Sequence, residues 1–157
     1  KSKKNNYAIL RYFNVVGSIM DFKIKKKIHS LYDIISRNIS KKKYKINING
    51  SNLDTKDGTP ERDFIHISDL CKIHKKTYEY LTKNKKIILN CGSGLKYSVL
   101  EVVRAIEKKI KRKFSISYKI TNFDEIETIC SNISCLRKLL KIDIKKKGIN
   151  DLIKDYL

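Results

Sequence analysis

Apolar and polar positions along this chain alternate between two periods. "YAILRYFNVVG", residues 7–17, is a near-continuous apolar run closed by Gly17, the pattern of a buried strand. Across residues 18–40 the spacing changes. Ile28, Leu31, Ile34, Ile35 and Ile39 recur at helical intervals and predict a helix there. "YKINING" alternates every second residue and predicts a short strand ending at Gly50. "SNLDTKDGTPE" then reads as a loop, with Asp57-Gly58 and Pro60 supplying turn conformations. "DFIHI" predicts another strand, with Phe64, Ile65 and Ile67 as its apolar members.

Ser68 is the expected N-cap of a helix running from about Asp69 to Leu81, with Leu70, Ile73, Thr77 and Leu81 as its inner stripe. "KIILNCGSG", residues 86–94, predicts a buried strand running into a Gly-x-Gly turn. "SVLEVVRAIEKKI" follows, and Ser98 with Glu101 three residues on has the form of a capping box. "KFSISYKI" predicts a strand, "SNISCLRKLLKI" a helix with a basic outer face, and "GINDLIKDYL" a final amphipathic helix. Strands alternating with helices make the class α/β or α+β. The strands are fewer than an autonomous doubly wound domain needs, the first begins almost at residue 1, and the sequence does not start with Met. The expectation is the second half of a longer protein.

Composition changes this picture little. A length of 157 residues is one domain's worth or a piece of a larger one, and 41% hydrophobic content can build a core. No apolar run approaches the ~18 residues of a membrane span, and no signal-peptide pattern opens the chain. The formal net charge is +20, carried by 36 Lys and Arg against 16 Asp and Glu. Such a balance can mark a nucleic-acid partner. Here the excess is almost all lysine, scattered along the chain with abundant Ile and Asn, as AT-rich codons would produce. Base readout and bidentate phosphate contacts favour Arg. A solvated basic surface with weak, salt-sensitive adhesion to polyanions is therefore expected rather than a specific nucleic-acid site. Cys71, Cys91, Cys130 and Cys135 stand singly, without CxxC or zinc-finger pairing, and read as small buried or half-buried thiols of a reducing cytoplasm; no metal site is expected.

Three segments could carry chemistry. Gly92-x-Gly94 before a helix N-terminus can cradle a phosphate, but Tyr97 occupies the third glycine position of a dinucleotide fingerprint, so a purely structural turn is the stronger reading. His66 lies in an apolar strand without ligand partners and reads as a hydrogen-bonded structural histidine, while His29 and His74 read as helix-surface groups. Arg62 follows a rigid turn and opens a strand. Either it forms a structural pair with Asp63, or it is held to fork onto a phosphate or carboxylate, with Asp63 orienting the guanidinium or capping the loop. Spacing alone leaves both open.

"LRYFNVVG", "DGTPERDFIHISDL" and "NCGSGLKYSVLEVV", in that order, resemble the C-terminal half of UDP-glucose 4-epimerases, which are extended short-chain dehydrogenase/reductase proteins. The resemblance covers nearly the whole chain, with Phe64 for a family Tyr and Ile67 for a Val. Nucleotide-sugar dehydratases and decarboxylases of the same superfamily rank second, because their corresponding block usually lacks D-G-T. A decayed, non-catalytic fragment is a further alternative, and a basic nucleic-acid-binding module a weaker one. The implied fold is α/β: the last Rossmann strands plus the small α/β substrate-binding domain. Residues 1–157 would form the UDP-sugar-binding portion, with the NAD-binding Rossmann domain outside this chain. Truncation, a split gene and an incomplete sequence would each account for that.

The resemblance implies an enzyme that interconverts C4 epimers of a UDP-sugar through a 4-keto intermediate with bound NAD. Its Tyr-x-x-x-Lys pair and G-x-x-G-x-x-G turn have no counterpart here: none of the nine tyrosines has Lys four positions on. No catalytic residue is therefore assigned, and the chain alone is expected to be inactive. Carried over position by position, Phe13 falls beside the nicotinamide. Asn14 falls at the phosphate or sugar end of the substrate. Ser30 and Leu31 fall at the nucleotide, with Asp33 in place of a family Pro. Asn47, Ile48 and Asn49 line uracil, Arg62 takes the diphosphate, and Ile129 falls where an aromatic residue often limits room for an N-acetyl group. Asn122 stands where a second diphosphate arginine belongs and Glu125 where an Asp belongs, with Lys119 as a partial substitute. The resemblance further implies a cytoplasmic protein that needs the N-terminal half, and homodimerisation of the full protein. Without sheet neighbours, the strands at 8–15 and 86–92 would expose their edges, so poor solubility or pairing with another chain is expected.

Overall fold

The computed structural model of the chain describes residues 5–17, 30–120, 126–144 and 148–153. The first apolar run breaks in two at Phe13. β1 (Tyr7–Tyr12) pairs in parallel with β5 (Lys86–Cys91), whereas β2 (Asn14–Val16) pairs in parallel with β4 (Glu61–His66). At the break the Phe13 amide donates to the Cys91 carbonyl at 3.3 Å, so one strand crosses between two sheets. β3 (Lys45–Asn49) pairs in parallel with β7 (Ser115–Lys119). β4 also takes β6 (Lys96–Ser98) antiparallel and β8 (Thr128–Ile129) in parallel. These last two elements have three and two residues and exist through their pairing with β4.

The helices are α1 (Leu31–Ser40), α2 (Ile67–Leu81), α3 (Val99–Ile110), α4 (Ser134–Leu140) and α5 (Ile149–Leu152). The helix expected over 18–40 is described only from its cap at Ser30 onward, and Ile28 and His29 lie outside the described residues. α2 starts two residues earlier than expected. Its N-cap is His66, whose Nδ1 accepts from the Ser68 amide at 3.2 Å and lies 2.6 Å from Ser68 Oγ. His66 thus has the structural role foreseen for it, while Ser68 supports the cap instead of being it. A Cβ on Gly17 (φ +91°) would stand 2.3 Å from His66 Nε2, which fixes glycine at that position.

Two cores flank β4. Phe64 joins Val16, Tyr32, Ile35, Ile46, Ile48, Val102, Val103 and Ile106 on one side. Ile65 joins Ile73, Ile87, Leu89, Leu136 and Leu140 on the other. Successive strand side chains point to opposite faces, so a single strand serves both. α2 and α4 pack on the inner face of β1–β5 through the second of these cores.

The expectation that β1 and β5 are wholly buried does not hold. Ile9 and Ile88, partners in register, are 46% and 50% exposed, and Tyr7 is 50% exposed. Among the described residues nothing covers that outer face, although parallel strands ordinarily carry cover on both sides. The cysteines differ from expectation as well. Cys91 is buried and burial pushes its thiol up to about 11, whereas Cys71, Cys130 and Cys135 are exposed. Those three sit outside the two cores, so nothing packs over them there.

The α3 capping box forms as expected. Ser98 Oγ accepts from the Glu101 amide at 2.9 Å, and Glu101 Oε2 accepts from the Ser98 amide at 2.9 Å. Ser98→Ala removes one arm of the box and should lower stability by about 1–2 kcal/mol. Urea denaturation followed by circular dichroism reads this as a lower midpoint with an unchanged slope, and an unshifted midpoint would contradict it.

Candidate functional site

The loop before β4 is built from within. Asp57 Oδ1 accepts from the amide of Thr59 at 3.0 Å and from its hydroxyl at 2.6 Å. Thr59 Oγ1 accepts from the Leu100 amide at 3.2 Å, and the Pro60 carbonyl accepts from the Val99 amide at 3.0 Å, so the loop is tied to the start of α3. Gly58 has φ +77°, and a Cβ there would lie 2.5 Å from the Ser51 carbonyl oxygen. The segment entering β4 therefore has a fixed course.

Arg62 emerges from this mount. Its Nη1 donates to the Glu61 carbonyl at 3.0 Å and to the Glu127 carbonyl at 3.2 Å. Arg62 faces Ile129 on β8 and Tyr97 on β6 in register. On the neighbouring carboxylate, Glu61 Oε2 accepts from Lys96 Nζ and from Thr128 Oγ1, and the Lys96 contact holds the Glu61 carboxyl below the usual carboxylate range.

Asp63 neither pairs with Arg62 nor orients it, contrary to both of those sequence readings. Its side chain is fully buried and accepts five hydrogen bonds from two other segments. Oδ1 takes the Ser93 amide at 2.8 Å and the Ser93 hydroxyl at 2.7 Å. Oδ2 takes the Gly94 amide at 3.0 Å, the Ser131 amide at 3.0 Å and the Ser131 hydroxyl. Adjacent strand residues face opposite ways, so Arg62 and Asp63 work on different sides of β4. The Gly92-x-Gly94 turn is thereby explained. It wraps an internal carboxylate: a Cβ on Gly92 would lie 2.6 Å from Asp63 Oδ2 and 2.2 Å from Ser131 Oγ. Sequence reasoning missed this role of Asp63, Ser93 and Ser131; the one signal was a serine between two glycines close to a strand end.

Several residues expected from the sequence converge on β4. Asn14 sits beside Phe64 in register, and its Nδ2 donates to the Asp63 carbonyl at 3.2 Å. Half-buried Phe13 precedes it, and Ile129 lies beside Arg62. Ser30 and Leu31 reach the same core through Tyr32, whose ring meets Phe64 edge-on at 5.8 Å. Ser30 is engaged as the α1 N-cap: Oγ accepts from the Asp33 amide at 3.2 Å and donates to Asp33 Oδ2 at 2.8 Å. Leu31 packs half-buried against the core.

The β3 residues approach from one side. Asn47 accepts from the Ser117 hydroxyl across β3–β7, and exposed Asn49 pairs in register with Lys119. The Ile48 side chain is 1% exposed and belongs to the core, which leaves only its backbone for a ligand. A Cβ on Gly50 would lie 3.0 Å from Leu53 and 3.4 Å from Pro60, so the end of β3 abuts the loop that leads to Arg62. Asn122 and Glu125 lie outside the described residues.

The geometry offers the Arg62 guanidinium near the start of the central strand β4, amide and hydroxyl groups nearby, and a purely structural glycine turn. Residues 1–92 match the model of the NAD dependent epimerase/dehydratase family. The chain belongs to this family. A UDP-glucose 4-epimerase of Haemophilus influenzae is 33% identical over 159 residues, spanning 97% of this chain and 46% of that protein. One of Rhizobium meliloti is 32% identical over 138 residues, spanning 85% and 42%. The UDP-glucose 4-epimerase of Bifidobacterium longum, solved with NAD+ and UDP, superposes with a TM-score of 0.84 at 28% identity over 97% of this chain and 46% of that one. This family member thus spans less than half the length of each of these relatives, and its mixed α/β fold is theirs over that span.

Within the mount, burial pushes the Asp57 carboxyl up, but hydrogen bonds from Ser98 and Thr59 outweigh this and hold it below the usual carboxylate range. A carboxyl lowered on folding stabilises above its unfolded value, and that stabilisation drains as pH falls through the folded value. Asp57→Asn should therefore lower the urea midpoint at pH 6, and the two proteins should converge as pH falls through the lowered Asp57 value. Equal midpoints at pH 6 would contradict this role.

Proposed function

We propose that this chain is the UDP-sugar-binding portion of a UDP-glucose 4-epimerase, which interconverts C4 epimers with NAD. The observation that carries this reading is Arg62. Its guanidinium is braced through Nη1 by two carbonyls at 3.0 and 3.2 Å, and a planar guanidinium is the side chain whose geometry matches the diphosphate of a nucleotide sugar. Family membership and the UDP and NAD+ of the Bifidobacterium longum neighbour supply the chemical context.

In this reading Asn14 bonds the phosphate or sugar end, and the backbone of Asn47–Asn49 with Leu31 borders the nucleobase. Ser30 contributes position more than hydrogen bonding, because its hydroxyl is spent on the α1 cap. Ile129, half-buried beside Arg62, leaves more room near the sugar than an aromatic ring would. Phe13, at the crossing from β1 to β2, is the residue offered to the nicotinamide. NAD, if held beside Phe13, would supply the hydride-accepting and hydride-donating chemistry that inversion at the sugar C4 requires. The proton-moving Tyr-x-x-x-Lys is absent from this sequence, so turnover depends on residues supplied by another stretch of polypeptide. The outer face of β1–β5, with Ile9 and Ile88, is where that stretch would pack.

The intact protein should melt at a higher temperature in UDP, because a ligand that binds only the folded state stabilises it by about 2.7 kcal/mol at a hundred times its Kd. Arg62→Ala should weaken UDP by roughly 1.5–3 kcal/mol, about 10- to 150-fold, and remove most of the shift. Differential scanning fluorimetry with and without UDP measures both. A parent protein indifferent to UDP would overturn the assignment.

A further inference from the structure

We propose that Asp63 is a positioning residue for anion binding: by filling the Gly92-x-Gly94 turn and gripping Ser131, it holds the β8 segment that braces Arg62. The inference rests on the reading of Arg62 as the diphosphate ligand and adds a residue that touches no substrate.

The linkage runs through named atoms. Arg62 Nη1 leans on two carbonyls, and the second belongs to Glu127, 65 residues away in sequence. Glu127 precedes β8, a two-residue strand. So short a strand cannot hold its own register, since isolated pairing of even longer segments is marginal. It is held at both ends. On one side the Glu61 amide donates to the Glu127 carbonyl at 2.8 Å. On the other, two residues past β8, Ser131 gives its amide and hydroxyl to Asp63 Oδ2. The same carboxylate takes the amides of Ser93 and Gly94 and the hydroxyl of Ser93, so the clamp is anchored at the end of β5. Ser131 Oγ in turn accepts from the Gly94 amide at 3.2 Å and closes the ring. Asn90 Nδ2, reaching the Asn132 carbonyl at 3.4 Å, ties the same two segments once more. Loss of the carboxylate frees the Ser131 end of this segment and leaves the Glu127 end on the Glu61 amide alone, so the carbonyl that braces Arg62 from outside its own strand loses one of its two anchors.

A double-mutant cycle on the intact protein separates this role from general damage. UDP affinity is measured by calorimetry for the parent, Asp63→Asn, Arg62→Ala and the double variant. Asp63→Asn puts an N–H against donors that need an acceptor, and should weaken UDP about 10-fold where Arg62 is present but less than about 2-fold in the Arg62→Ala background. Ser131→Ala deletes one hydroxyl, leaves the other four bonds, and should show the same dependence on Arg62 with about a 3-fold loss; it carries the cycle if Asp63→Asn does not fold. Equal fold-losses in both backgrounds, or unchanged affinity in the clamp variants, would overturn the proposal while leaving the diphosphate reading intact. An Arg62→Ala protein that binds UDP as well as the parent would instead remove the diphosphate reading, and this proposal with it.

Discussion

A carboxylate taken out of water must be given back its hydrogen bonds, and Asp63 is the place where this chain meets that demand. Burying such a group unpartnered costs several kcal/mol, and removing one partner of a satisfied buried group is far more damaging than never having built it. Asp63 draws three amides and two hydroxyls from segments 30 and 68 residues away in sequence. Those segments are otherwise weakly constrained: a glycine turn and the stretch following a two-residue strand. The demand of one side chain thus imposes order on two loops, and Gly92 has no alternative because any Cβ would intrude on both Asp63 and Ser131.

The consequences follow β4 outward. Its odd and even residues look into different cores, with Phe64 on one side and Ile65 on the other. Two neighbours of opposite charge, Arg62 and Asp63, are therefore parted by the pleat and given separate tasks. Asp63 fastens the strand to its surroundings from one face. Arg62 stands on the other, braced by the Glu61 and Glu127 carbonyls. The couple that looks like an ion pair in the sequence is a structural anchor back to back with the proposed diphosphate ligand.

What could be read in the sequence was local. The capping box of α3, the apolar stripe of α2 and the alternation of β3 each reside in a few consecutive residues, and each forms. β6 and β8 could not be read, because three- and two-residue strands carry no periodicity and arise from contact with β4. The α2 cap was misplaced by two residues, since His66 Nδ1 can do what a serine hydroxyl does and histidine is the rarer choice. The continuous apolar run at 7–17 concealed a crossing between sheets, because a buried strand and two consecutive short ones share the same hydropathy. Family resemblance singled out Arg62 and Asn14 as site candidates, and the structure places Arg62 on β4 and Asn14 beside it. The Asp63 clamp was not, because its donors are ordinary serines and glycines until the fold assembles them. The glycine turn illustrates the ambiguity: the same backbone amides that can hold a phosphate here hold a protein carboxylate.

Arg62 as the diphosphate ligand, with the glycine turn closed to phosphate by Asp63, is the claim on which the functional account stands. A crystal structure of the intact protein with UDP tests it most directly. The account predicts diphosphate oxygens about 2.7–2.9 Å from the Arg62 guanidinium, with Asp63 still seated in the Gly92–Gly94 turn. A diphosphate bound at that turn, or anywhere that leaves Arg62 untouched, would contradict it.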